Sequence, residues 1–159
     1  MAPVGGPGGG PPSVGFALSQ LGLATSRAFA QLVEPLGVEP RHFAVLRAIR
    51  TFSDESQHAI AERLGIPAST MVGLVDGLEA KGLVERAQHR SDRRAHVLTL
   101  TRQGAGVLRR AEALGVQRER ELCAGLSEAE RTTLLALLGR VAANLGIAPG
   151  ALPDKGRGR

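Results

Sequence analysis

Residues 56–104, SQHAIAERLGIPASTMVGLVDGLEAKGLVERAQHRSDRRAHVLTLTRQG, decide the fold. The stretch opens on Ser56, a residue type that caps helix N-termini, and QHAIAERL then sets Ile60 and Leu64 one turn apart before Gly65 stops the run. Ile66 and Pro67 make a tight link to a second helix, ASTMVGLVDGLEAKG, in which Met71, Leu74, Val75 and Leu78 share one face and Gly82 terminates. LVERAQ and AHVLTL then read as two short strands, the second with His96, Leu98 and Leu100 on one side. The polar, arginine-rich loop between them, HRSDRR, is longer than a two-residue turn, so the hairpin is expected to project.

Helices are expected on both sides of this unit. Upstream, Ser13 follows two prolines and caps a helix with Val14, Leu18, Leu21, Ala28 and Leu32 on one face. Phe16, Leu23, Phe29 and Val33 add apolar surface on its other sides, so it needs cover from more than its own domain, which points to a homodimer. Pro35 and Gly37 end it, and Pro40 opens the next helix with Phe43, Leu46, Ile49 and Phe52 as its stripe. Downstream, Thr101 caps a long helix running to about Ala124, and Ser127 with Glu130 forms a capping box for the last one. Leu134, Leu138, Val141 and Leu145 line its expected inner face, and Gly146 closes it. Residues 1–12, almost wholly Gly and Pro, read as a disordered leader, and 148–159 as a loose basic tail. The expected fold is mainly α with a small β-hairpin wing, one domain over 13–147.

Composition narrows the function. The 159 residues are 43% hydrophobic and 22% charged, ordinary for a globular domain, and the only aromatics are Phe16, Phe29, Phe43 and Phe52, so the core must be Leu, Val and Ala. No apolar run has the length to cross a bilayer, and MAPVGGPGGGPPSVG lacks the charged start and apolar stretch of a secretory signal. No membrane association and a cytoplasmic location are therefore expected. Cys123 stands alone, which excludes an internal disulfide and a multi-cysteine zinc site, and it reads as a packing residue. His42, His58, His89 and His96 show no tight ligand spacing, so neither a metal nor a cofactor is expected. No nucleophile–base pair is visible, and GGPGGG lies in the leader rather than after a strand, so no catalysis is expected. The net charge of +5 favours a polyanionic partner.

A short helix, a Gly-containing turn, a second helix and a hairpin form the profile of a winged helix-turn-helix, with residues 56–81 supplying the helices and 83–100 the wing. The second helix of the pair is expected in the major groove of duplex DNA, with Ala68, Ser69 and Thr70 near base edges and phosphates. Ser56 and Gln57, at the start of the preceding helix, are further candidate DNA contacts. The wing carries Arg86, Arg90, Arg93 and Arg94, a charge that suits a narrow minor groove. Asp92, two residues from Arg94, is placed to hold that guanidinium in a fixed direction.

Residues 41–104 resemble the MarR family of bacterial regulators through FAVLRAI, through IAERLGIPASTMVGLVDGLEAKGLVER, and above all through the D-x-R of Asp92 and Arg94 followed by Leu100, Thr101 and Gly104. The order of six helices and one wing extends the likeness over about 13–147. The resemblance implies that Arg94 enters the minor groove, that Asp92 braces it, and that Ser69 and Thr70 contact DNA. It implies dimerisation through helices at about 13–34 and 102–146, and a homodimeric repressor released from an inverted-repeat operator by a small phenolic or lipophilic effector. Arg41 and His42, opening the second helix, and Phe16 are the candidate effector contacts. This chain departs from the family's pattern at Val72, Gly73 and Gly77, where polar or basic residues are frequent, and at Ala87 in the wing. Those departures keep a second reading open, a degenerate winged domain that binds a protein rather than DNA.

Overall fold

The computed structural model describes residues 13–88 and 96–147. Helix α1, Val14–Val33, starts where Ser13 accepts the Phe16 N–H at 3.4 Å. It stops before Pro35, which a 3-10 turn, Glu34–Leu36, carries forward to Gly37. Helix α2, Pro40–Thr51, follows, then α3, Gln57–Leu64, and α4, Ala68–Ala80. Strands β1, Val84–Gln88, and β2, His96–Leu100, pair antiparallel with Val84 opposite Leu100 and Gln88 opposite His96. Helices α5, Arg102–Leu122, and α6, Glu128–Asn144, complete the chain, and α5 ends two residues earlier than the apolar pattern implied. The capping box at Ser127 and Glu130 forms, with the carboxylate accepting the Ser127 N–H at 2.8 Å.

The core gathers around α2–α4. Leu46 and Ile49 of α2, Ile60 of α3, Met71 and Leu78 of α4, Leu98 of β2 and Leu108 of α5 are all fully buried. Each such side chain contributes about 1.5–3 kcal/mol relative to exposure, so this cluster fixes how the two helices of the turn sit against the hairpin. A bridge between Ser56 and Val97 further ties the start of α3 to β2.

The junction between hairpin and α5 explains the Leu-Thr-x-x-Gly signature. Thr101 donates its hydroxyl to the Gly82 carbonyl at 2.7 Å and accepts the Gly104 N–H at 2.9 Å. A Cβ on Gly104 would lie 1.9 Å from the Leu83 carbonyl oxygen, so only glycine lets α5 begin this close to β1.

The last helix differs from expectation. No residue of α6 is buried; of its expected inner stripe Leu134, Leu138 and Leu145 are exposed and Val141 is half-buried. Among the described residues, most of the face read as inner from the sequence is left uncovered. Most of α1 shares that condition, with Val33 its only buried residue.

Candidate nucleic-acid interface

Gly65, at φ 65°, makes the left-handed turn that lets α3 end and α4 restart after two residues. The N-cap of α4 is Pro67, which offers no side-chain acceptor, so Ser69 and Thr70 do not cap the helix. Ala68 and Ser69 are exposed and Thr70 is half-buried. The first backbone N–H groups of α4 therefore have no side-chain cap, the arrangement that accepts a phosphate oxygen. With Met71, Val75 and Leu78 inward, the outward face carries Val72, 44% exposed, together with Gly73 and Asp76. Nothing lies within 4 Å of where a Cβ on Gly73 would sit.

Gly77 is different in kind. It is half-buried, and a Cβ there would come within 3.6 Å of His42 Nε2 on α2. Position 77 thus faces α2, where a small side chain would meet His42 in ordinary contact.

The structure gives Arg86 a task that the sequence did not reveal. Its Nη1 pairs with Glu79 Oε2, its Nη2 reaches Asp76 Oδ1 at 2.6 Å, and its Nε donates to Gln57 Oε1 at 3.2 Å. Glu79 Oε1 also accepts the Arg86 backbone N–H at 3.2 Å. All three guanidinium nitrogens are thus engaged within the chain, and the side chain is only 24% exposed. Arg86, grouped in the sequence with the wing cations suited to a narrow minor groove, has its guanidinium engaged by partners within the chain. Gln57 is drawn into the same network, and Ser56 caps α3 by accepting the Ala59 N–H at 3.2 Å. A charge run in a basic hairpin gives no sign of this. The only signal was a pair of acids, Asp76 and Glu79, spaced three apart on α4. Arg90, Asp92, Arg93 and Arg94 lie outside the described residues.

The candidate effector residues do not converge. His42 is the N3 residue of a capping box: its Nδ1 accepts the Glu39 N–H at 3.2 Å. Burial pushes its pKa below the ordinary value, with Glu39 opposing and Lys81 adding to the shift. Phe16 is 55% exposed in the first turn of α1. A cleft of about 920 Å³ runs instead along Phe29, Phe43, Arg47, Val116, Cys123 and Arg131, and neither Phe16, Arg41 nor His42 lines it. Phe29 stands 13 positions after Phe16 in the sequence, about 20 Å along the same helix. It meets Phe43 edge to face, with ring centroids 5.2 Å apart. Arg131 Nη2 lies 3.4 Å from Glu119, while its buried Nε has no hydrogen-bond partner among the described residues. Cys123 Sγ sits 3.7 Å from Glu119 Oε1.

Comparison with known proteins is consistent with this geometry. The sequence profile of the MarR family matches residues 36–95. A relative from Thauera aromatica, described as a transcriptional regulatory protein for the hcr operon, is 35% identical over 129 residues, covering 80% of this chain and 78% of its own. The transcriptional repressor CouR bound to a 23-mer DNA duplex superposes with a TM-score of 0.75 at 35% identity, over 82% of this chain and 92% of that one. CouR bound to p-coumaroyl-CoA superposes at 0.71 and 32% identity, over 82% and 91%. With a helix-turn-helix, a hairpin wing and relatives of this similarity, the chain belongs to the MarR family and is a winged helix-turn-helix transcriptional regulator.

Proposed function

We propose that this regulator is a homodimeric repressor that occupies an inverted-repeat operator and leaves it when a small aromatic effector binds. The observation that carries the reading is the start of α4, exposed, without a side-chain cap and held on a glycine turn beside the wing. In the bound state Ala68, Ser69 and Thr70 meet the major groove, and Arg94, aimed by Asp92, enters the adjoining minor groove with Arg90 and Arg93 on flanking phosphates. CouR bound to duplex DNA supports this assignment. The outward apolar residues of α1, α5 and α6, among them Leu21, Leu122, Leu134 and Leu138, supply the dimer interface. The unit thus corresponds to residues 13–147, with 1–12 and 148–159 outside it. It acts by occupying DNA rather than by catalysis, and it works in the cytoplasm; no described helix is long and apolar enough to cross a membrane.

The effector reading rests on the cleft. Two phenylalanines give an aromatic wall, and Arg47 and Arg120 give cations for a carboxylate or a phosphate, beside Glu112, Glu119 and Glu128, the last two of which face Arg131. The CouR complex with p-coumaroyl-CoA supports an aromatic acid or its thioester as the class. The test is fluorescence anisotropy on duplexes from the DNA flanking the protein's own gene. Saturable binding to an inverted repeat, falling steeply with salt and relieved by p-coumaroyl-CoA or 4-hydroxybenzoate, is the expected result. Equal affinity for operator and random duplex sinks the DNA reading. Undiminished operator binding in the presence of both compounds sinks their assignment as effectors.

A further inference from the structure

We propose that Arg86 is a positioning residue for DNA recognition: it fastens the wing to the reading helix and so sets the wing's aim. The inference rests on the DNA-binding reading above. Arg86 sits in β1 opposite Leu98, and through one guanidinium it joins three elements: β1 itself, α4 through Asp76 and Glu79, and the first residue of α3 through Gln57. These are the elements whose relative orientation decides whether helix and wing reach adjacent grooves together. Glu79 reinforces the link by holding the backbone N–H of the same residue.

The Arg86 side chain is 24% exposed, but its acid partners are more open. Asp76 is 58% exposed and Glu79 32%, and ion pairs at such positions contribute little to folding. Orientation is what it supplies. The planar fork of Arg86 meets three acceptors in fixed directions, and α4 is held from behind by Met71, Val75 and Leu78. The base of the hairpin is held by buried Val84 and Leu98 and by the Ser56–Val97 bridge; Arg86 adds a directional tie from β1 to the reading helix.

A brace and a phosphate contact predict opposite results. A phosphate-contacting cation survives replacement by lysine, and deleting nearby acids strengthens DNA binding. A brace needs the fork, so Arg86→Lys fails, and Glu79→Gln and Asp76→Asn weaken recognition although they make the protein more positive. The experiment uses the full chain and the duplex that it selects from a randomised pool. Wild type, Arg86→Lys, Glu79→Gln and Asp76→Asn are compared for affinity to that duplex and to random DNA across a salt series, with circular dichroism melts as the folding control. Expected are a loss of about tenfold in the selected-to-random ratio for Arg86→Lys, a smaller loss for the acid variants, and an unchanged salt slope. If Arg86→Lys does not fold, the two acid variants carry the test alone. Tighter binding by Glu79→Gln, or a wild-type ratio retained by Arg86→Lys, overturns the brace while leaving the DNA reading intact. If the wild-type chain selects no duplex, the DNA reading itself fails, and the brace with it.

Discussion

Arg50, in the last turn of α2, and Glu112, midway along α5, face each other in a two-pronged ion pair, with Arg50 Nη1 donating to Glu112 Oε2 at 2.7 Å and Nη2 to Oε1. The pair joins the core of the reading unit to the helix that leads away from it. The hydrogen bonds from Arg50 hold the Glu112 carboxyl below its ordinary value, against a smaller opposing effect of burial. Because the folded value is depressed, the unfolded chain takes up the proton first. The stabilisation is therefore present above the ordinary value of 4.5 and is lost as pH falls through the folded one. Both side chains are partly exposed, which limits the contribution to about 0.2–1 kcal/mol. Unfolding free energies of wild type and Glu112→Gln from urea titrations should differ by that amount near neutral pH and converge in acid.

His42 titrates in a higher range and with a structural consequence. Its Nδ1 must be unprotonated to accept the Glu39 N–H, and burial already disfavours the charged ring. The folded pKa lies below 6.5, so between that value and the folded one the unfolded chain binds more protons and stability falls as pH falls. Loss of the cap costs about 1 kcal/mol. His42→Gln keeps an acceptor at the same helical position and removes the titration. Thermal melts between about pH 7.5 and about pH 5.5 should show wild type losing more stability than the variant; equal losses would assign the pH dependence elsewhere.

Gly104→Ala and Gly73→Ala should act in opposite directions. The first drives a methyl group against the Leu83 carbonyl and should cost about 3 kcal/mol, the upper end for overpacking. The second enters open space in an α-helix and should stabilise by up to about 1 kcal/mol. Chemical denaturation of the two variants checks both signs.

In the wing, Arg94→Ala should reduce operator affinity by about 1–3 kcal/mol, the value of an inserted cation. Asp92→Ala should cost less, yet still weaken binding, although it raises the net charge. Anisotropy at fixed salt reads both. Tighter operator binding by Asp92→Ala would remove the bracing role.

Assembly should be obligatory at working concentrations. Leu134, Leu135, Leu137 and Leu138 form a run on α6 with no residue buried in the single chain, so Leu134→Glu with Leu138→Glu should convert a dimer into monomers in sedimentation. A wild-type protein that sediments as a folded monomer at micromolar concentration would contradict the proposed interface.

Much of this fold was legible because its signals are local. Ser13, Ser56, Thr101 and Ser127 all cap the helices expected of them, and Gly65 makes the turn. The periodicity of Met71, Val75 and Leu78 gave the buried face of α4. What stayed hidden depends on residues distant in the chain. Arg86 looks the same in a sequence whether it meets a phosphate or the carboxylates of Asp76 and Glu79. His42 reads as an isolated histidine because a capping box usually carries Glu or Gln at that position. The apolar face of α6 was seen correctly as apolar, but a helical period cannot say whether its cover comes from the same chain. The cleft joins Phe29 and Phe43 to Arg131, from α1, α2 and α6, and no pattern within one helix encodes such a meeting.

The open space over Gly73 has an evolutionary side. Helix α4 is anchored by Met71, Val75 and Leu78 on its far face, so a new side chain at 73 disturbs no neighbour. One codon change there adds a side chain to the exposed face of α4, and the fold accepts it without compensation. Gly104, pressed against Leu83, has no such freedom. Position 73 is thus open to substitution in single mutational steps, while the joint between Gly104 and Leu83 stays fixed.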